Sequence, residues 1–394
     1  MAKTRFTVAL LTALLCGLLV SAAAARVPQG FVGMVVGPPL FPDPPSMTVL
    51  DDQLDLMVAS GVESVRAAVY WSSMQPYRSW KDVPAAQKAS FQSDGVDDVP
   101  TNFGGLDTLV GAAAQRGLAV LPTVINAPAW DGKLLKFGVF YIPRSNGPYG
   151  NFLKALVRRY GPHGGFWHTA GAKVPITMWQ VWNEPNEYGN WPIRPFARSY
   201  VALLRVAHAA IKSADPHAKV VLAGLSNYSW QYLATIYKVK GARQLFDVVG
   251  IHPYTKEPRG VVTIIDYARQ VMRSNGDARK PIIADEMGWP SSLGQGTNLY
   301  GFETTESGQA ENIAAVIPLL AQARRRLGIL GFDYYTWAGV ESPGAYTFDF
   351  SGLLRFGSGQ FVKKPSFYAF TRAALALEGC RKKAAVATRC TQPS

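Results

Sequence analysis

The chain has little of what metal, redox and serine-nucleophile chemistry draw on. Its 394 residues include three cysteines, Cys16, Cys380 and Cys390, and five histidines. His163, His168, His208, His217 and His252 show no zinc-like pairing, and no acidic cluster has calcium-loop spacing. There is no G-x-S-x-G elbow for a serine nucleophile. After the first apolar run, "GMVVGPPLFPDPP" offers prolines where a dinucleotide-binding turn needs glycines, which argues against the runner-up fold, a doubly wound open sheet. These gaps predict that whatever chemistry the chain performs uses no metal and no cofactor. Repeats and low-complexity tracts are also missing, and with 48% hydrophobic and 17% charged residues the chain reads as globular.

Only the first segment approaches the length of a membrane span. "MAKTRFTVALLTALLCGLLVSAAAARVPQG" places Lys3 and Arg5 before an apolar run that ends in alanines, the layout of a cleaved secretory signal over residues 1–25. An uncleaved anchor is the alternative, because Phe6 to Ala25 is long enough to span a bilayer. Leu15 before Cys16 argues against a lipid anchor. Export would leave Cys380 and Cys390, and two cysteines in an oxidising compartment predict one disulfide in the basic tail, residues 379–394. That bond would staple the tail and constrain little else. The mature product is expected to be secreted or envelope-associated, with no stable membrane insertion.

Acidic residues are scarce beside basic ones, 27 against 40, for a net charge of +13 that losing Lys3 and Arg5 lowers to +13 − 2, or about +11. The basic residues are scattered except at Arg324–Arg326 and Arg381–Lys383, so no nucleic-acid face is expected. An anionic or cell-envelope glycan, or no specific partner, suits such a charge.

Eight β-rich runs alternate with amphipathic ones: Phe31–Gly37, Ser64–Tyr70, Ala119–Ile125, Ile176–Trp182, Val220–Ala223, Val248–Ile251, Ile282–Ala284 and Ile329–Tyr335. Between them lie stretches with helical spacing, such as "RSYVALLRVAHAAIKSADP". Eight buried strands, each followed by a helix, predict an α/β fold of one (β/α)8 TIM barrel over residues 26–378. The longer connections, at 71–103, 126–148, 184–194 and 285–308, would gather on one face.

In such a barrel the working residues project from the carboxyl ends of the strands. Pro185 should stop the fourth strand and leave Glu184 at its mouth. Glu286 follows the seventh strand. Here "VWNEPN" and "IIADEMGWP" resemble the acid/base and nucleophile motifs of the clan A glycoside hydrolases, most closely family 39 and its relatives, with family 5 also similar. The resemblance implies a retaining glycosidase that cleaves β-linked oligo- or polysaccharide. Glu286 would attack and Glu184 would serve as acid, then base. It further implies that Asn183 bonds the sugar 2-hydroxyl, Arg66 points at the nucleophile, Tyr254 donates to it, His252 contacts substrate or orients that tyrosine, and Trp337 floors the reacting subsite. Trp71, Trp130 and Trp289 also follow strand ends and are expected to bind carbohydrate. Glu187, Asp285, Glu303, Glu306 and Glu341 read as solvated surface carboxylates; an inward Asp285 would raise the nucleophile's pKa. Rivals in mechanism are a transglycosylase and a non-catalytic glycan-binding protein on the same scaffold.

Overall fold

The computed structural model describes residues 27–136 and 138–393, so the expected signal segment and Cys16 lie outside the described residues. Eight parallel strands form the barrel: β1 (Val32–Val36), β2 (Ser64–Tyr70), β3 (Ala119–Ile125), β4 (Met178–Val181), β5 (Lys219–Leu222), β6 (Val249–Ile251), β7 (Ile282–Met287) and β8 (Ile329–Tyr334). They run in the order β6-β7-β8-β1-β2-β3-β4-β5. Single bridges, Val221 with Val248 and Leu225 with Ile251, link the last strand to the first, so the ring is nearly closed. This is the predicted (β/α)8 architecture, with strand limits shifted by up to three residues.

The helices around the ring include Met47–Ala59, Gly104–Gln115, Asn146–Tyr160, Phe196–Ala214, Ser229–Tyr237, Pro258–Ser274, Glu306–Leu327 and Pro365–Glu378. Their ends follow local chemistry. Ser46 and Thr305 accept backbone N–H groups at two starts, prolines open two more, and Gly328 and Gly379 take the left-handed conformation that closes a helix. Among the described residues, no helix is long and apolar enough to cross a membrane.

The main core lies between strands and helices; a smaller one fills the base of the barrel interior, where Leu121, Val221, Val248 and Ile283 pack together. Above that layer the interior turns polar. Arg66, Thr123, Gln180, Asp285, Asp333 and His252 are all buried there, a costly arrangement unless each finds partners. Gly33 and Gly224 make the room. A methyl group on Gly33 would sit 2.0 Å from Asp333, and one on Gly224 would sit 1.9 Å from His252.

The tail is more than a stapled end. Cys380–Lys383 and Cys390–Pro393 form an antiparallel hairpin joined by a disulfide between Cys380 and Cys390. The hairpin docks on the amino-terminal end of the barrel, where Ala387 donates to the Arg116 carbonyl at 2.8 Å and is fully buried. Lys383 is buried between Glu63 and Glu378, and burial pushes the Glu378 carboxyl up to about 8. We expect Cys390→Ser to undock this hairpin. The Ala387 amide should lose at least about tenfold of its hydrogen-exchange protection, while β2 and β3 keep theirs. Unchanged protection at Ala387 would show that the disulfide contributes nothing to docking.

Candidate active site

Arg66 enters the barrel interior from β2 and is 4% exposed. Its guanidinium donates to Glu286 at 2.7 Å, to the Asn183 side-chain carbonyl at 2.8 Å and to Gln180 at 2.9 Å, and it lies 3.6 Å from Asp285. Burial pulls the guanidinium's pKa down, but the charges of Glu286, Asp285 and Asp333 outweigh it and drive the value up. Arg66 therefore stays charged. Tyr254 donates to the other oxygen of Glu286 at 3.0 Å, so both oxygens of that carboxylate are held by donors.

Asp285 and Glu286 are neighbours, yet both reach the interior. Side chains in a regular strand alternate, but β7 gains one residue against β8 between Ala284 and Met287, a bulge that re-aims them. The strand also runs three residues past its expected end. Asp285 is thus fully buried rather than a solvated surface group. Burial alone would raise its pKa, but His252, Arg66 and Gln180 outweigh it and hold the carboxyl below its usual range. The two cations, Arg66 and His252, also lie near Glu286, at 2.7 and 3.5 Å.

Glu184 stands where the chain turns out of β4, with φ of 44°, in the left-handed region that non-glycine residues seldom adopt. One carboxyl oxygen, Oε1, lies 2.7 Å from His252 Nδ1; the other, Oε2, accepts from Asn190 at 3.2 Å. Burial raises its pKa, aided by the charges of Glu286 and Glu187 and opposed by His252. His252 is fully buried, and its second nitrogen, Nε2, faces Asp285 at 3.4 Å. Only a doubly protonated imidazole can donate to both carboxyls. Burial disfavours that cation, but Glu286, Asp285 and Glu184 prevail and lift its pKa to about 10.

Carboxylate oxygens of Glu184 and Glu286 and a ring nitrogen of His252 all lie within 4.8 Å of one another. Such a group could ligate a cation, but Arg66 already occupies Glu286 and both imidazole nitrogens face carboxylates. The two glutamates open into a cavity of about 440 Å³. Arg66, Asn183 and Tyr254 line it too, whereas His252 lies behind Glu184.

Trp71, Trp130, Trp289 and Trp337, expected to bind carbohydrate, are not among the residues lining this cavity. Trp71, Trp289 and Trp337 are at most 1% exposed. Their indole N–H groups are spent on Gln75, on the Thr255 carbonyl and on Gln53, while Trp130 packs edge-on against Trp71. Phe140, Tyr300, Phe302, Tyr335, Tyr346 and Phe348 supply the aromatic walls instead. Tyr335, two residues before Trp337, is the one that faces the cavity from the end of β8. Of the remaining carboxylates, Glu303 and Glu306 stay at the surface, where Glu303 holds the backbone at Tyr300 and Gly301 and Glu306 pairs with Arg355. The Glu341 side chain is buried in an ion pair with Lys364, and Glu187 faces the cavity. Gln180 went unnoticed in the sequence, although a lone amide in the apolar strand "MWQV" was its signal.

No protein-family model matches the sequence, and no curated protein matches it. Solved structures do share its fold. A family 39 glycoside hydrolase from Bacteroides cellulosilyticus WH2 is 19% identical with a TM-score of 0.60, over 89% of this chain and 64% of that one. A glucosidase from Croceicoccus marinus is 14% identical with a TM-score of 0.63, over 92% and 70%. A family 39 β-xylosidase from Caulobacter crescentus is 18% identical with a TM-score of 0.56, over 88% and 71%. At these identities the likeness is one of fold.

The buried imidazolium has a measurable signature. Its folded-state pKa, near 10 against an ordinary 6.5, means that its contribution to stability is complete below pH 6.5 and lost as the pH rises through 10. We expect Asp285→Asn to lower the His252 pKa by roughly 1–3 pH units, read from its ring-nitrogen NMR shifts. An unchanged titration would mean that Asp285 does not hold the cation.

Proposed function

We propose that the protein is a secreted retaining glycoside hydrolase acting on β-linked oligo- or polysaccharide. The observation that carries this reading is that an oxygen of Glu184 and an oxygen of Glu286 lie within 4.8 Å of each other at one cavity, which favours the short spacing of a retaining pair over the wider one of an inverting enzyme. Their surroundings differ as the two roles require. Glu286 takes donors on both oxygens, and Glu184 is held towards its protonated form.

In the first step a Glu286 oxygen forms a bond to the anomeric carbon as the glycosidic C–O bond breaks. The leaving oxygen takes the proton of Glu184. Because Oε1 of Glu184 accepts from His252, the proton is delivered from Oε2. In the second step Glu184, now a carboxylate, removes a proton from water while the water oxygen bonds the anomeric carbon and the ester to Glu286 breaks. The Asn183 carbonyl is used by Arg66, so its NH2 is the group available to a sugar hydroxyl. Tyr254 stays a phenol, since burial and the charge of Glu286 raise its pKa far above the usual value.

The layout of the first residues and the disulfide support export. The basic clusters bear on where an anionic envelope could hold the protein. Arg324–Arg326 end the helix that leads into β8, and Arg381 and Lys382 are exposed on the docked tail, whose Lys383 is buried between carboxylates, so both groups lie at the barrel end opposite the cavity. Adhesion and cleavage would use opposite faces.

Incubation with 2-deoxy-2-fluoro β-glycosyl fluorides should add the mass of one sugar to the wild-type protein and nothing to Glu286→Gln. Glu184→Gln should lower kcat about 10²–10⁴-fold on substrates with poor leaving groups. An inverted anomeric product in a time-resolved NMR assay would sink the retaining mechanism.

A further inference from the structure

Glu187 lines the cavity three residues beyond Glu184 and has a fixed geometry that the two-glutamate mechanism does not use. Its Oε1 accepts from Ser226 at 2.7 Å, from Asn227 at 2.7 Å and from Asn186 at 2.9 Å. Three donors saturate that oxygen and lock the side chain, so Oε2 is the acceptor left over. Ser226 and Asn227 follow β5 and also line the cavity, which puts the carboxylate on the β4–β5 side, the side from which Glu184 delivers its proton.

Carboxyls outnumber cations around it. Glu184, Glu187 and Glu286 line the cavity, and among the described lining residues Arg66 is the only cation. Arg66 is already committed to Glu286, Asn183 and Gln180. A sugar carboxylate entering here would meet Glu187 with no free cation among the described lining residues to pair it, and like charges brought together in a half-desolvated cleft repel. A hydroxyl or ammonium would meet a preorganised acceptor instead.

We propose that Glu187 is a specificity-determining residue. Its Oε2 accepts hydrogen bonds from the sugar on the leaving-group side, and the cleft takes uncharged or amino-bearing β-glycan segments and rejects uronates. This inference rests on the glycosidase reading of the same cavity. The basic exterior gives no guide to the substrate.

Binding to Glu184→Gln, which keeps Glu286 and its pairing with Arg66, separates the two claims, because it needs no turnover. Calorimetry would compare β-linked neutral oligosaccharides (gluco-, xylo- and manno-), glucosamine oligomers and oligouronates. The expected result is that uronates bind at least about tenfold more weakly than the best neutral or amino-bearing ligand. Adding Glu187→Gln should shrink that gap to under about threefold, since the amide keeps the side chain's shape but loses its charge. Uronates binding as well as the others, or a gap that the second substitution leaves intact, would overturn the inference while sugar adducts on wild type leave the glycosidase standing. No binding in any class together with no adduct on wild type would overturn both.

Discussion

The guanidinium of Arg66 is the contact on which the rest of the site depends. From β2 it reaches Gln180 on β4, Asn183 just beyond it, and Glu286 and Asp285 on β7, so one planar cation ties three strands across the barrel. Lysine could not substitute, because three donors at fixed angles are in use at once. Removing the cation would leave two buried carboxylates facing each other without it, a loss of about 3–5 kcal/mol when one partner of a buried pair is deleted. Arg66 and Gln180 together supply most of the donors in this layer, and Thr123 in turn donates to Gln180.

The interior holds four carboxyls, Glu184, Asp285, Glu286 and Asp333, against two cations, Arg66 and His252. Arg66 lies against Glu286 and Asp285, and His252 against Glu184 and Asp285; burial still drives Glu184 and Asp333 towards their protonated forms, with Asp333 pushed up to about 8 despite Arg66. That division is what the proposed chemistry requires, an acid that keeps its proton beside a nucleophile held by donors. It depends on a glycine as much as on any charge. Any side chain at Gly224 would displace the His252 ring, and with it the contact that reserves Oε2 of Glu184 for the substrate.

The strands and the two glutamates were legible in the sequence because each rests on a local rule. Buried parallel strands are continuous apolar runs. Asn183-Glu184-Pro185 marks the turn out of one of them, although that strand ends at Val181, before a left-handed Trp182, and not at the proline. What was not legible depends on direction. Aromatic residues after strand ends point either into the cavity or back into the helix layer, and nothing in the spacing of Trp71, Trp289 or Trp337 says which; the structure turns all three inward and leaves tyrosines and phenylalanines at the cavity. Asp285 was misplaced for a related reason. The strict alternation of a strand would put Asp285 and Glu286 on opposite faces, and only the bulge against β8 brings both inside. Glu187 looked like a loop carboxylate because its three donors come from a neighbouring side chain and a distant connection.

The strong positive charge of the chain and the acidic lining of the cavity are compatible because the barrel keeps them apart. A strand of seven residues such as β2 carries its side chains roughly 20 Å from one end of the barrel towards the other. Screening at physiological ionic strength acts over about 8 Å. The basic clusters at the amino-terminal end of the strands therefore contribute almost nothing to the potential felt by a sugar at the carboxyl-terminal end. The groups that set that potential are the few within contact range, Arg66, Glu187 and the catalytic pair. Net charge, the most conspicuous number in the sequence, therefore says little about the cleft, where the three hydrogen bonds that orient Glu187 bear on what can enter.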